Sequence, residues 1–423
     1  MAKKLSNLYL FILASTAVIL ILSYSCQTRI STPPSQPQIT QPYIESSPKA
    51  QHVVPLKYQP LYNEISAKLD TFDNSLNSVP NGIKNKITFG AELLPANGHQ
   101  GEKLLTEDNY EGTLVYLDAL QSLGIQGVKV SINYPLLAPD FPNSDRYLEY
   151  YKNLAQELRK RNMKILVAIG NLFSDPSFTD LQVSFSNLTF AEYRQTKRQI
   201  AERIINEIHP DFLTLANEPS TEAMTTGLKV TVPEFTETVR YVLSGLDRSG
   251  VLIGAGAGTW NSLDYVKSLA RNTDIDYIDI HIYPANYLEQ ALTMADIASA
   301  SNKRLIIGEA WTYKAYDSEL GDLSHIATQS EMFSRDVYSF WEPLDSKFLE
   351  ILVKITKYKG YEFISPFWSR YFFGYLDYET IPKNLTYKQL SQLSNQKAVL
   401  NIMNHRLTYT GITYQKLINE AAR

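Results

Sequence analysis

The chain has 423 residues, 44% apolar and 20% charged, an ordinary globular balance with ample material for a full core. Its formal net charge of −4 supplies no electrostatic pull on nucleic acid, and its single thiol, Cys26, excludes an intrachain disulfide. The 28 Tyr, 17 Phe and 4 Trp suit stacking on sugar faces, although core packing is the ordinary use of such residues.

In chain order, the start looks like an export segment. Lys3 and Lys4 form a short basic region. The apolar run at 8–22 has signal-peptide length and is shorter than a typical membrane span. Ser23-Tyr24-Ser25-Cys26 resembles a bacterial lipoprotein cleavage site, with Cys26 as the lipidation point. It departs from the usual pattern in carrying Ser23 where leucine is common, with Leu22 one step earlier. An uncleaved anchor or a plain signal peptide fits the same residues. Residues 27–57 are rich in Ser, Thr, Pro and Gln and are expected to form a disordered or extended tether. The organisation expected is an export segment at 1–26, a linker at 27–57 and one folded domain at 58–423. Membrane contact is expected only through the N-terminal segment.

Apolar spacing over 61–76 predicts a helix, placed as a cap beneath the domain. From Lys86 onward, short apolar runs rich in β-branched residues alternate with longer amphipathic stretches. Strands are predicted at 87–94, 127–134, 164–171, 212–218, 251–260, 277–283, 304–311 and 362–368. Helices are predicted near 109–123, 145–162, 189–208, 233–248, 262–271, 287–301, 325–357 and 387–405. Gly124, Asn162, Gly250, Asn302 and Gly360 follow helices, as a helix stop predicts. Eight strand–helix units make an α/β chain, a single (β/α)₈ TIM barrel. An open doubly wound sheet is the alternative, but no Gly-x-Gly-x-x-Gly turn follows the first strand. The glycines of 254–258 fall inside a later strand, where small residues suit the barrel interior or the space under a substrate.

The C-terminal strand ends of a barrel form its binding rim. There the sequence places Glu92; Asn133 and Tyr134; Asn171; Asn217 and Glu218; Trp260; His281 and Tyr283; Glu309 and Trp311; and Trp368. Three of the 4 tryptophans thus fall on one rim. Glu218, in Asn217-Glu218-Pro219, and Glu309, in Ile307-Gly308-Glu309-Ala310-Trp311, both end apolar runs and lie three strand–helix units apart. Two carboxylates across a cleft are what glycosidic cleavage requires. Glu92 is read as a solvated or paired acid. No His-x-His or His/Asp cluster has metal-ligand spacing, and no Gly-x-Ser-x-Gly elbow occurs, so neither a metal nor a cofactor is expected.

Over roughly residues 86–405 the chain resembles the clan A glycoside hydrolases, retaining enzymes on (β/α)₈ barrels. Asn217-Glu218-Pro219 is similar to the clan's strand-four acid/base motif in the form seen in its cellulase and mannanase families. Glu309 resembles the strand-seven nucleophile. His281-x-Tyr283 resembles the pair near that nucleophile, and Trp368 the aromatic floor under the sugar. The resemblance implies that Glu309 attacks while ionised and that Glu218 gives and then takes a proton. It also implies that Asn217 holds a sugar 2-hydroxyl and Tyr283 orients Glu309. His281 either bonds substrate or holds the acid/base region. Asn133, Trp260, Trp311 and Trp368 complete the expected substrate contacts. One departure stands out: many members carry an arginine on strand two, and here Lys129 occupies the inner face. The expected partner is an oligo- or polysaccharide, and the expected activity is endo-hydrolysis of a β-linked glucan, mannan or galactan. A transglycosylase, or a carbohydrate-binding lipoprotein without catalysis, is the alternative.

Overall fold

The computed structural model describes residues 44–45, 53–76, 86–320 and 326–422. The export segment at 1–26, Cys26 included, and most of the linker at 27–57 lie outside the described residues. Eight parallel strands follow one another around a closed barrel. They are β1 (Thr88–Glu92), β2 (Gly127–Ser131), β3 (Lys164–Ala168), β4 (Phe212–Thr214), β5 (Leu252–Gly258), β6 (Tyr277–Ile282), β7 (Arg304–Ala310) and β8 (Phe363–Pro366). β1 pairs with β2 on one side and with β8 on the other, which closes the cylinder. Helices follow the strands and cover the outer face, so the strands are buried on both faces and read as near-continuous apolar runs.

All eight predicted strands are present, each shorter than the apolar run that marked it. On β4 the strand ends at Thr214, Leu215 and Ala216 keep backbone hydrogen bonds to β5, and 217–218 reach the rim. The helix Pro219–Thr226, absent from the sequence prediction, starts immediately afterwards, with Pro219 in its first turn, where its missing N–H costs nothing. The single helix predicted over 325–357 is two, Ile326–Asp336 and Glu342–Lys359. Pro343 opens the second, and buried Trp341 at the break donates its Nε1–H to the Arg335 carbonyl at 2.8 Å. A C-terminal helix, Tyr409–Ala421, was also unforeseen. The predicted helix at 61–76 forms as Gln59–Leu76, but not beneath the barrel. Its Leu61, Ile65, Leu69, Phe72 stripe is buried in the outer helical layer. There Tyr62 stacks on Trp341 at 5.8 Å, and Asp73 pairs with Lys354 at 2.5 Å beside Glu342–Lys359.

Inside the barrel, Leu166, Phe212, Tyr277, Ile306 and Phe363 form an apolar plug near the strand N-termini. The Tyr277 ring needs room, and β5 provides it. Gly254 is its partner across the ladder, and a Cβ there would stand 2.1 Å from the ring. Gly254→Val is expected to cost at least about 1–3 kcal/mol in denaturant unfolding, through overpacking. Gly112→Ala, in the open middle of Glu107–Leu123, is expected to stabilise by about 0.5–1 kcal/mol. An equal response of the two variants would contradict this account of the interior.

Candidate active site

Side chains alternate along a strand, and β6 uses the alternation as a column. Tyr277 sits in the plug, Asp279 above it, His281 above that, and Tyr283 just past the strand end. Asp279 and His281 have no exposed surface. Asp279 is fixed by the Thr214 hydroxyl, which donates to Oδ2 at 2.8 Å, and by the Gly308 N–H, which donates to Oδ1 at 2.8 Å.

Gly308 belongs to an irregularity in β7. Asp279 pairs with Ile306 but His281 with Glu309, so three steps on β7 face two on β6. In an unbroken strand Ile306 and Glu309 would point to opposite faces. The extra residue returns Glu309 to the face that Ile306 occupies, where it meets Lys129 and Tyr283. The site requires glycine at the extra position, because a Cβ on Gly308 would stand 2.4 Å from the Asp279 carboxylate.

Glu309 therefore faces a prepared set of partners. The Tyr283 hydroxyl donates to Oε2 at 2.6 Å. Lys129, from the inner face of β2, donates to Oε1. The same ammonium lies 3.1 Å from Glu92 Oε2 and donates to Ser131 Oγ at 2.9 Å. Ser131 and Asn97 in turn donate to Glu92 Oε1 at 2.8 and 3.0 Å. Across the mouth, Glu218 precedes Pro219–Thr226 and accepts from Thr221 Oγ1 at 2.6 Å. His281 Nδ1 is 2.7 Å from Glu218 Oε1 and 3.6 Å from Glu309 Oε2. One ligand atom each from Glu218, His281 and Glu309 lie within 4.8 Å of one another.

These contacts set the charges. Burial pushes the Glu309 carboxyl upward, but the Lys129 and His281 charges, with hydrogen bonds from Lys129 and Tyr283, outweigh it and hold it below the usual carboxylate range. Burial drives Glu92 the other way, above that range, against the pull of Lys129. Lys129 stays charged: burial opposes the ammonium, and the two glutamates more than offset it. Burial also disfavours the His281 imidazolium, yet Glu309 and Asp279 raise its value to about 10. His99 has no such acidic neighbour in contact, and burial takes it down to about 4.

The pair opens into a cleft of about 310 Å³. Of the rim residues marked by sequence, Asn133, Asn171, Asn217, Glu218, Tyr283, Glu309 and Trp368 line it, whereas Glu92 and Tyr134 do not. Of the expected substrate contacts, three also lie outside the lining. His281 lies wholly buried beneath the two glutamates, so it holds the Glu218 carboxyl rather than reaching into the cleft. Trp311 is only 1% exposed and packs on Tyr371 and Phe372, because the core behind β7 takes up its ring. Trp260 stands outside the lining, edge-on to Tyr283, with Nε1–H donated to Ser220 Oγ at 3.1 Å. Glu92, read as a solvated or paired acid, is the paired and fully buried form.

Sequence reasoning missed other parts of the wall. Tyr313 stacks on Tyr283 at 4.6 Å and lines the cleft. Phe173 and Phe178 come from the loop after β3, and Phe333 and Tyr387 from two separate helices. None of these four had a local signal. Asp279 did: the alternation Tyr277, Asp279, His281, Tyr283 already placed it in the functional column.

No family model matches the chain, and no curated protein does. Among solved structures it is similar to an exo-β-1,4-mannosidase from Opitutaceae bacterium strain TAV5, with TM-score 0.49 and 15% identity over 79% of this chain and 59% of that one. This chain therefore spans under two thirds of the mannosidase's length. A β-glucanase from Saccharophagus degradans has TM-score 0.48 and 15% identity over 80% of this chain and 89% of that one. A family 1 β-glucosidase from Thermotoga maritima has TM-score 0.45 and 11% identity over 81% of this chain and 99% of that one.

The charge set has a consequence for stability. His281 titrates near 10 in the folded chain against an ordinary 6.5. Its contribution is complete below about pH 6.5 and is lost as pH rises through about 10. Glu309, held below an ordinary 4.5, contributes above that value and loses its contribution on acidification through its lowered one. Guanidinium unfolding of His281→Gln, followed between about pH 6.5 and 10, is expected to show a flatter alkaline decline than the parent. Parallel declines would refute the buried imidazolium.

Proposed function

We propose that the protein is a retaining β-glycoside hydrolase, with Glu309 as nucleophile and Glu218 as acid/base. The observation that carries this reading is the pair itself: carboxylate oxygens of Glu218 and Glu309 within 4.8 Å, both lining one cleft. Retention calls for carboxyl groups about 5–5.5 Å apart, whereas inversion needs roughly 6.5–9.5 Å to seat a water.

The steps follow from the contacts. An ionised Glu309 oxygen bonds to the anomeric carbon as the glycosidic C–O bond breaks. The leaving oxygen takes the proton of Glu218. Water then attacks the same carbon, Glu218 takes its proton, and the bond to Glu309 breaks, restoring both carboxyls. Lys129 and Tyr283 hold Glu309 charged and oriented. His281, hydrogen-bonded to Glu218, fixes the acid/base side. Asn217 is assigned to the sugar 2-hydroxyl. Trp368, Tyr313, Phe333 and Tyr387 supply faces for further sugars, which supports a β-linked polysaccharide such as a glucan, mannan or galactan, cut internally. Export and lipidation at Cys26 complete the proposal.

The Glu218, His281 and Glu309 atoms are also close enough to invite a metal ion. Lys129 bound to Glu309, and a protonated His281, place positive charge where a cation would have to sit. Turnover is therefore expected to be unchanged by EDTA, and a chelator-dependent loss would reverse this choice.

Glu309→Ala is expected to abolish hydrolysis of aryl β-glycosides, with azide restoring part of it as an external nucleophile. Parent-like turnover by this variant would overturn the assignment. Lys129→Met is expected to lower kcat/KM by about 10²-fold or more, since it removes the charge that keeps Glu309 ionised in a dry site. A change of only a few-fold would move the support of Glu309 elsewhere.

A further inference from the structure

One wall of the cleft carries more positive charge than its partners neutralise. Arg370 lines the cleft and is only 4% exposed. Among the described residues no carboxylate lies within ion-pair distance of it. Its guanidinium donates instead to neutral oxygens: Nη1 to Ser391 Oγ at 2.7 Å and to Asn395 Oδ1 at 3.5 Å, Nη2 to the Tyr371 hydroxyl at 3.3 Å. A buried cation is normally paired, because desolvating it without a counter-charge is costly. Asp336, a buried acid that feels the Arg370 charge without an ion pair to it, is engaged by Lys314 at 3.5 Å and is pushed up to about 7, first by its own burial.

Two donors on this wall are also unfilled. The Arg370 Nε–H and the Trp368 Nε1–H are both buried without a hydrogen-bond partner. The two residues are in contact, the guanidinium standing 4.4 Å from the Trp368 ring centroid. Further along the cleft, Lys103 and Lys388 flank a single acid, Asp180, at 3.2 and 2.9 Å. Apart from Glu218 and Glu309, the lining carries three cations, Lys103, Arg370 and Lys388, and two acids, Asp180 and Glu222, the second of which is already paired with Lys197 behind the wall. Two idle N–H donors beside a surplus of positive charge are complementary to a group that only accepts hydrogen bonds and carries negative charge.

We propose that the sugar bound against Trp368 and Arg370 carries an acidic substituent, a uronate carboxylate or a sulfate ester. This deepens the glycosidase reading and rests on it. Arg370 is a specificity-determining residue, and Lys388 and Lys103 draw the acidic chain along the wall.

The test uses the full chain and matched aryl β-glycosides: a neutral hexoside, the corresponding uronide and the 6-sulfated hexoside. The uronide or the sulfate ester is expected to show a kcat/KM at least roughly tenfold above the neutral sugar, because a site built for a polar group rejects the analogue that lacks it. Which of the two is favoured identifies the substituent. Arg370→Gln is expected to erase that advantage, lowering kcat/KM for the acidic substrate by at least roughly tenfold relative to the neutral one. Arg370 is buried, so Lys388→Gln, at a half-exposed position, serves as the second variant. It is expected to raise KM for the acidic substrate and to weaken its salt dependence. Equal or better Glu309-dependent turnover of the neutral sugar overturns the proposal and leaves the glycosidase intact. Absence of Glu309-dependent turnover on every member overturns both.

Discussion

Everything at the barrel mouth depends on keeping Glu309 charged where water is scarce. Burial alone would protonate that carboxyl. Lys129 prevents this, but a buried ammonium is itself costly unless its donors are filled. Glu309 and Ser131 accept from it, Glu92 pairs with its charge at 3.1 Å, and Asn97 completes the shell around Glu92. The first two strands thus spend their interior positions supporting a residue on the seventh. Lysine brings a point charge with three donors, not a planar fork, and its neighbours are arranged to suit that chemistry.

The barrel separates staying folded from doing chemistry along its own axis. Near the strand N-termini an apolar plug of Leu166, Phe212, Tyr277, Ile306 and Phe363 fills the interior. One layer up, Thr214 and Asp279 anchor the backbone of β7 through Gly308. Only above them do His281, Glu218 and Glu309 meet. Each layer orients the next, so Asp279 acts on the site without touching the cleft. Such stacking from packed core to reactive rim is the general logic of this architecture.

The outer wall has a different origin. Its aromatic faces and its cations come from loops and helices that share no strand, including the loop after β3, the segment after β8 and Tyr387–Met403. Loops and outer helices tolerate change without disturbing a barrel, so specificity can be set there independently of the glutamate pair.

The sequence by itself determined the strands and the pair of glutamates. Apolar runs of strand length ending in Asn217-Glu218 and Gly308-Glu309 are local patterns, and local patterns survive in a one-dimensional reading. It also put Lys129 on the inner face of β2, at the place where the resembling enzymes carry an arginine. It could not decide that Trp311 turns into the core while Trp368 faces the cleft, since both follow a strand end and the difference lies in what packs behind them. Nor could it foresee the irregularity at Gly308 that returns Glu309 to the interior, because a register shift exists only between two strands. The burial of Glu92 beside Lys129, and the unpaired charge of Arg370, belong to the same class of fact. Charge balance is a property of neighbours in space, and only the closed barrel makes Lys129 and Glu309, 180 positions apart, into neighbours.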